Sequence, residues 1–129
     1  HFTLWLKDEM VSFPDIIIAG DFNIAPEDID CHDPEAWKNN ILVSPKEREA
    51  FQKIIDLGLS DNFRVINPTE IQYSWWDYRM AGFRRNLGMR IDHILTNKNI
   101  TDKTTNSVID KEPRKSERPS DHTPVIIEF

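Results

Sequence analysis

Cysteine is almost missing from this chain. Cys31 is the only one among 129 residues, so no internal disulfide can form, and with only His32 beside it there is no spaced ligand set for structural zinc. Long apolar runs are missing too, since none approaches the ~20 residues that cross a bilayer. His1-Phe2-Thr3 lacks the charged and small-residue flanks of a signal peptide. The expectation is a plain thiol in a cytoplasmic protein with no membrane partner. Basic residues are outnumbered, 16 against 22 acidic ones for a net charge of -6, which weighs against non-specific coating of nucleic acid. Repeats and low-complexity tracts are absent, and the apolar share of 39% suits one globular domain burying somewhat under ~70% of its unfolded surface. A leading methionine is lacking while the chain opens inside a helical pattern, so the sequence reads as a fragment.

What is present alternates strands and helices. Phe2, Leu6, Met10 and Phe13 recur at near-helical spacing. Asp15 to Ala19 is a short apolar strand running into Gly20-Asp21, and residues 25–40 read as an acidic, proline-bearing loop with a turn of helix. Ser44-Pro45-Lys46-Glu47 is a capping box with proline at the first helical position, predicting a helix to Leu57 that stops at Gly58. Gln72 to Trp76, Arg90 to Thr96, Thr105 to Ile109 and Thr123 to Phe129 read as further strands. This order suggests an α/β or α+β sheet layer with helices on one face.

Three segments carry the chemistry. "GDFN" places Asp21 and Asn23 after a buried strand, "RIDHIL" sets Asp92 inside an apolar one, and "RPSDHTPVIIEF" fixes Asp121 and His122 between prolines, where the backbone has little freedom. A triad of Ser120, Asp121 and His122 is excluded, because consecutive residues on an extended backbone point to alternating sides. Asp92 is costly in an apolar strand unless paired, and His122 is the obvious partner. Asp21 and Asp121 then offer hard oxygen ligands for magnesium, giving the parts that phosphodiester hydrolysis needs. Arg79, Arg84, Arg85 and Arg90, interleaved with Trp75, Trp76, Tyr78, Phe83 and Met89, form a candidate footprint for phosphates and an unstacked nucleotide.

"IIIAGDFNIAPEDID", "YSWWDYRMAGFRRNLGMRIDHIL" and "SDHTPV", in this order, resemble the C-terminal half of the exonuclease III type of abasic-site nucleases, within the endonuclease/exonuclease/phosphatase superfamily. The resemblance spans essentially the whole chain and implies an α/β fold. Residues 1–129 would be half of a deoxyribonuclease I-like four-layer sandwich, with one mixed, mainly antiparallel sheet and helices on one face. It implies a DNA repair nuclease acting on double-stranded DNA at abasic sites or 3′ ends, with magnesium, or manganese in its place, as cofactor. Asp21 would activate or position the attacking water, with Asn23 beside it. Asp21, Asn23 and Asp121 are the implied metal site, His122 faces the scissile phosphate, and Asp92 orients His122. Trp75, Met89 and Ile91 match the walls that receive a flipped-out abasic sugar, and Arg79, Arg84, Arg85 and Arg90 would lie along the DNA. Trp76, on the opposite side of its strand, is expected to be core.

The family's N-terminal half, with its metal-binding glutamate, has no counterpart here. That half is therefore an expected partner, and the fragment alone is expected to be inactive and to self-associate through its uncovered sheet face. Other members of the superfamily, such as a deadenylase, a phosphoinositide phosphatase or a sphingomyelinase, use similar Asp-Asn and Asp-His chemistry. A non-catalytic module that binds DNA or a partner is the reading from a different class.

Overall fold

The computed structural model describes residues 2–38 and 40–129. His1, at the start of the leader motif sought above, and Asn39, in the expected loop, lie outside the described residues. Helix α1 (Phe2–Ser12) turns only Leu6 fully inward, while Phe2 and Phe13 stay about half exposed. Strand β1 (Ile17–Asp21) begins and ends two residues later than the apolar run suggests, because Gly20 and Asp21 continue the ladder opposite His93 and Asp92. After it comes the loop, with a short helix α2 (Pro34–Trp37) capped by Asp33 through the Ala36 amide.

Helix α3 (Pro45–Ile55) starts as its capping box predicts, with Ser44 Oγ accepting from the Glu47 amide, and ends two residues before Leu57, with Gly58 at φ 111° closing the turn beyond it. Strand β2 (Leu59–Asp61) and helix α4 (Asn62–Ile66) follow directly. Then come β3 (Trp75–Trp76), β4 (Gly88–Met89), β5 (Asp92–Asn97), helix α5 (Lys98–Lys103), β6 (Asn106–Ile109) and β7 (Val125–Glu128). The α/β class holds. The strands form three antiparallel ladders, ordered β1-β5-β2, β3-β4 and β6-β7.

Leu6, Ile24, Phe51, Leu59 and Leu95 make the main core, with Met10, Ile18 and Ile54 packed against it. This clamps α1 and α3 onto one face of β1-β5-β2. Ile17 and Ala19 alternate to the other face, where Ile17 is 43% exposed, and Ile126 on β7 is 40% exposed. Ile17 and Ile126 thus leave apolar surface open, whereas Thr96, the ladder partner of Ile17, is buried against Asn62 and Thr101. A smaller core of Ala25, Cys31, Val43, Met89 and Ile91 pins the 25–43 loop against β4. Glycine is required at 88, since a Cβ there would stand 2.5 Å from Trp76 Nε1. Among the described residues no helix is long and apolar enough to cross a membrane.

Candidate active site

The site forms where β1 ends and β5 begins. Asp21 and Asp92 are direct partners in the ladder, so both side chains leave the same face of the sheet. The third element arrives through β3. The Trp76 amide donates to Asp121 O (3.0 Å) and the Thr123 amide to Ser74 O (2.8 Å), which sets Trp75 opposite His122 in an isolated bridge. Three distant segments, each stiffened by backbone hydrogen bonds, thereby hold their polar side chains at one point.

His122 Nδ1 lies 2.8 Å from Asp92 Oδ2 and donates to it. Its Nε2 faces Asp21 Oδ2 at 3.6 Å and Asp121 Oδ1 at 4.0 Å. Ser74 completes the support, since its Oγ donates to Asp92 Oδ2 (2.7 Å) and accepts from the Ile91 and Asp92 amides, each at 3.1 Å. Asn23, in left-handed backbone at φ 54°, turns its amide onto Asp21 Oδ1 at 2.9 Å. The Asp21 carboxylate is thus aimed by the chain immediately after it. Asp121 is held by the Trp75 indole N–H, 3.0 Å from Oδ2.

Partial burial lowers the His122 pKa, yet the hydrogen bond and charge of Asp92, joined by Asp21 and Asp121, outweigh it and carry the imidazole above its ordinary value. For Asp92, burial raises the pKa more than the hydrogen bonds from His122 and Ser74 lower it. A carboxylate on Nδ1 and two more facing Nε2 favour the cationic ring. Ligand atoms of Asp21, Asp92 and His122 lie within 4.8 Å of one another, a spacing at which they can share one cation. The His122–Asp92 hydrogen bond competes with that use. The oxygens of Asp21 and Asp121 both face Nε2, at 3.6 and 4.0 Å.

The sequence-predicted residues divide. Asp21, Asp92, Asp121 and His122 converge, and Asn23 joins them through its backbone N–H on Asp21. Arg79, Arg84 and Arg85 are exposed on one loop, where Arg79 grips Asp77 (Nη2 to Oδ2, 2.6 Å) and holds that carboxyl at about 2.

Arg90 does not lie on this surface. It is 1% exposed and binds Asp30 (Nε to Oδ1, 2.7 Å) and Asp61 (Nη2 to Oδ2, 2.6 Å), with its guanidinium over the Phe63 ring. Arg64 reaches the same Asp30 at 2.5 Å. The group is a buried structural ion cluster, not a DNA contact. Met89 and Ile91 are likewise core, 0% and 2% exposed, because alternation about Arg90 turns both onto the 25–43 loop. Only Trp75 of the three expected walls remains half-open. Trp76 is fully buried, as its alternation requires, with its indole N–H on Asn86. Ser74 was not singled out from sequence, although a serine beside the tryptophans and opposite an intrastrand aspartate was the available signal.

An antiparallel sheet with helices on one face and this carboxylate–imidazole cluster at its edge defines a deoxyribonuclease I-like α/β protein. Residues 5–122 match the family model described as the endonuclease/exonuclease/phosphatase family, and the chain belongs to that family. A Haemophilus influenzae protein named exodeoxyribonuclease III is 39% identical over 97% of this chain and 49% of its own length. A 3′-5′ exonuclease from Neisseria meningitidis superposes with a TM-score of 0.97 at 47% identity, over 99% of this chain and 50% of the other. An AP endonuclease from Archaeoglobus fulgidus gives a TM-score of 0.90 at 34% identity, over 99% of this chain and 52% of the other. The chain spans about half the length of the curated relatives it matches.

Proposed function

We propose that the intact protein is a magnesium-dependent DNA repair nuclease that hydrolyses phosphodiesters of double-stranded DNA, as a 3′-5′ exonuclease and abasic-site endonuclease. The observation that carries this is the junction of Asp21, Asp92 and His122 at one sheet edge, with His122 Nε2 turned toward Asp21 and Asp121. Relatives named for the same activities support the choice of substrate.

Each side chain has a task that follows from its surroundings. Asp21, aimed by the Asn23 amide, accepts a proton from the attacking water and orients its lone pair. His122, held cationic by Asp92, donates from Nε2 to a phosphoryl oxygen as negative charge grows there. Asp92, anchored by Ser74, fixes the ring's tautomer and direction. Asp21 and Asp121, with Asn23 beside them, would hold magnesium or manganese, which when bound supplies positive charge against the phosphoryl oxygens. Arg79, Arg84 and Arg85 would follow the DNA backbone.

Two carboxylates leave most of an octahedral cation to other donors, and the apolar side chains of Ile17 and Ile126 are 43% and 40% exposed. Both features fit a second half of the same domain as partner, and the 129-residue chain alone is then inactive and prone to self-association. In the intact protein, Asp21→Asn and His122→Ala each lower turnover on an abasic duplex by about a hundredfold or more, since one charge-stabilising group is worth about 3 kcal/mol or more in the transition state. Turnover within tenfold of wild type would remove that residue from the mechanism.

A further inference from the structure

A groove of about 490 Å³ opens beside the candidate active site, lined by His32, Trp37, Trp75, Met80 and Leu87 together with Asp77 and Arg79, among others. None of the hydrolytic roles above uses it. Trp75 is its link to the chemistry, because the same indole that lines the groove donates to Asp121 and its backbone bridges to His122. Trp37 is the other large aromatic wall. The His32 ring stands edge-on to it, centroids 6.2 Å apart at 74°, and is itself fixed by Nδ1 on Gly88 O at 2.9 Å. The far lip is also stiff. Met80 and Ala81 sit in left-handed backbone at φ 57° and 52°, and Arg85 Nη1 binds Met80 O at 3.2 Å.

The dimensions and lining suit a flat apolar ring better than a bare sugar. A deoxyribose without its base has no π-face to pair with aromatic walls such as Trp37 and Trp75, and the lining is more apolar than polar. Met89 and Ile91, which would narrow the site to sugar width, are enclosed in the core. We propose that this groove is a nucleobase subsite, taking the unstacked base of a 3′-terminal nucleotide while its phosphate lies at Asp21 and His122. The assignment rests on the nuclease reading and deepens it, since it makes a base-bearing end a better ligand than a base-less one.

Equilibrium binding of the intact protein in magnesium tests it with two duplexes, identical except that one 3′-terminal residue is 2-aminopurine and the other is abasic. A phosphorothioate at the last linkage slows hydrolysis during the measurement. Trp37→Leu keeps apolar bulk without a π-face, and Trp37→Phe keeps the face. The expected result is quenching of 2-aminopurine by wild type, roughly tenfold weaker binding of the base-bearing end to the Leu variant, and near wild-type binding to the Phe variant, because stacking on one aromatic is worth about 1–3 kcal/mol. The abasic end should bind all three proteins alike. Equal weakening for both ends, or none, overturns the base subsite and leaves the nuclease reading standing. If wild type binds neither duplex, both readings fall.

Discussion

His93 should make this protein acid-sensitive in a window where few other groups titrate. Its ring is 1% exposed and packs against Phe22 and Phe51, with centroids 5.7 and 5.1 Å away. Nε2–H donates to Ile24 O at 2.7 Å, and Nδ1 accepts from Arg90 Nη1 at 3.1 Å. The second of these bonds needs the neutral ring, and a proton on Nδ1 would face the Arg90 guanidinium. Burial first, then the Arg90 charge, depress its pKa to about 4, against roughly 6.5 in the unfolded chain. Because the folded state refuses a proton that the unfolded state accepts, stability is full above about pH 6.5 and is lost as pH falls toward about 4. At about pH 5 the loss is about 2 kcal/mol, and over the whole window about 3 kcal/mol. His122 acts with the opposite sign, its contribution being present at low pH and lost as pH rises through its elevated value. A comparison of wild type with His93→Gln cancels that term. Urea unfolding at about pH 7.5 and about pH 5 should show wild type losing about 2 kcal/mol more than the variant. A difference under about 0.5 kcal/mol, or a reversed one, would refute the neutral buried ring.

Two further outcomes follow from the geometry. Asp92→Ala should reduce turnover less than His122→Ala, and the double variant should be no worse than His122→Ala alone, since the pair acts as one unit; additive losses in that cycle would count against the pairing. Arg90→Met should destabilise the fold by about 3–5 kcal/mol by stranding Asp61 and leaving buried Asp30 with Arg64 alone, while the salt dependence of DNA binding stays at its wild-type slope, which a lost phosphate contact would flatten.

Much of the site was legible because it breaks a local rule. Asp92 in an apolar strand demands a partner, and the stiff Asp121-His122 dipeptide supplies one, so the pairing could be inferred across 30 residues. The same logic failed for Arg90, which looks like its neighbours Arg84 and Arg85 in sequence. What separates it is the acid at Asp30, 60 positions away, and Asp61, 29 positions away, and no periodicity reports such distances. Capping chemistry located α3 because Ser44 and Glu47 act within one turn. Helix α5, five polar residues around buried Ile100 with a Lys98–Asp102 pair, and strand β2, three residues long, are too short to show a period and are fixed by tertiary pairing instead. Trp37 stood in a stretch read as loop, so the groove it lines was visible only once α2 turned it toward Trp75.

Incision of a duplex containing one abasic site, by the intact protein with magnesium and then with the metal chelated, tests the central claim most directly. Cleavage at the abasic site that requires the metal is the result expected of the Asp21, Asp121 and His122 arrangement. No incision with magnesium present, or incision at an unchanged rate after chelation, would contradict it.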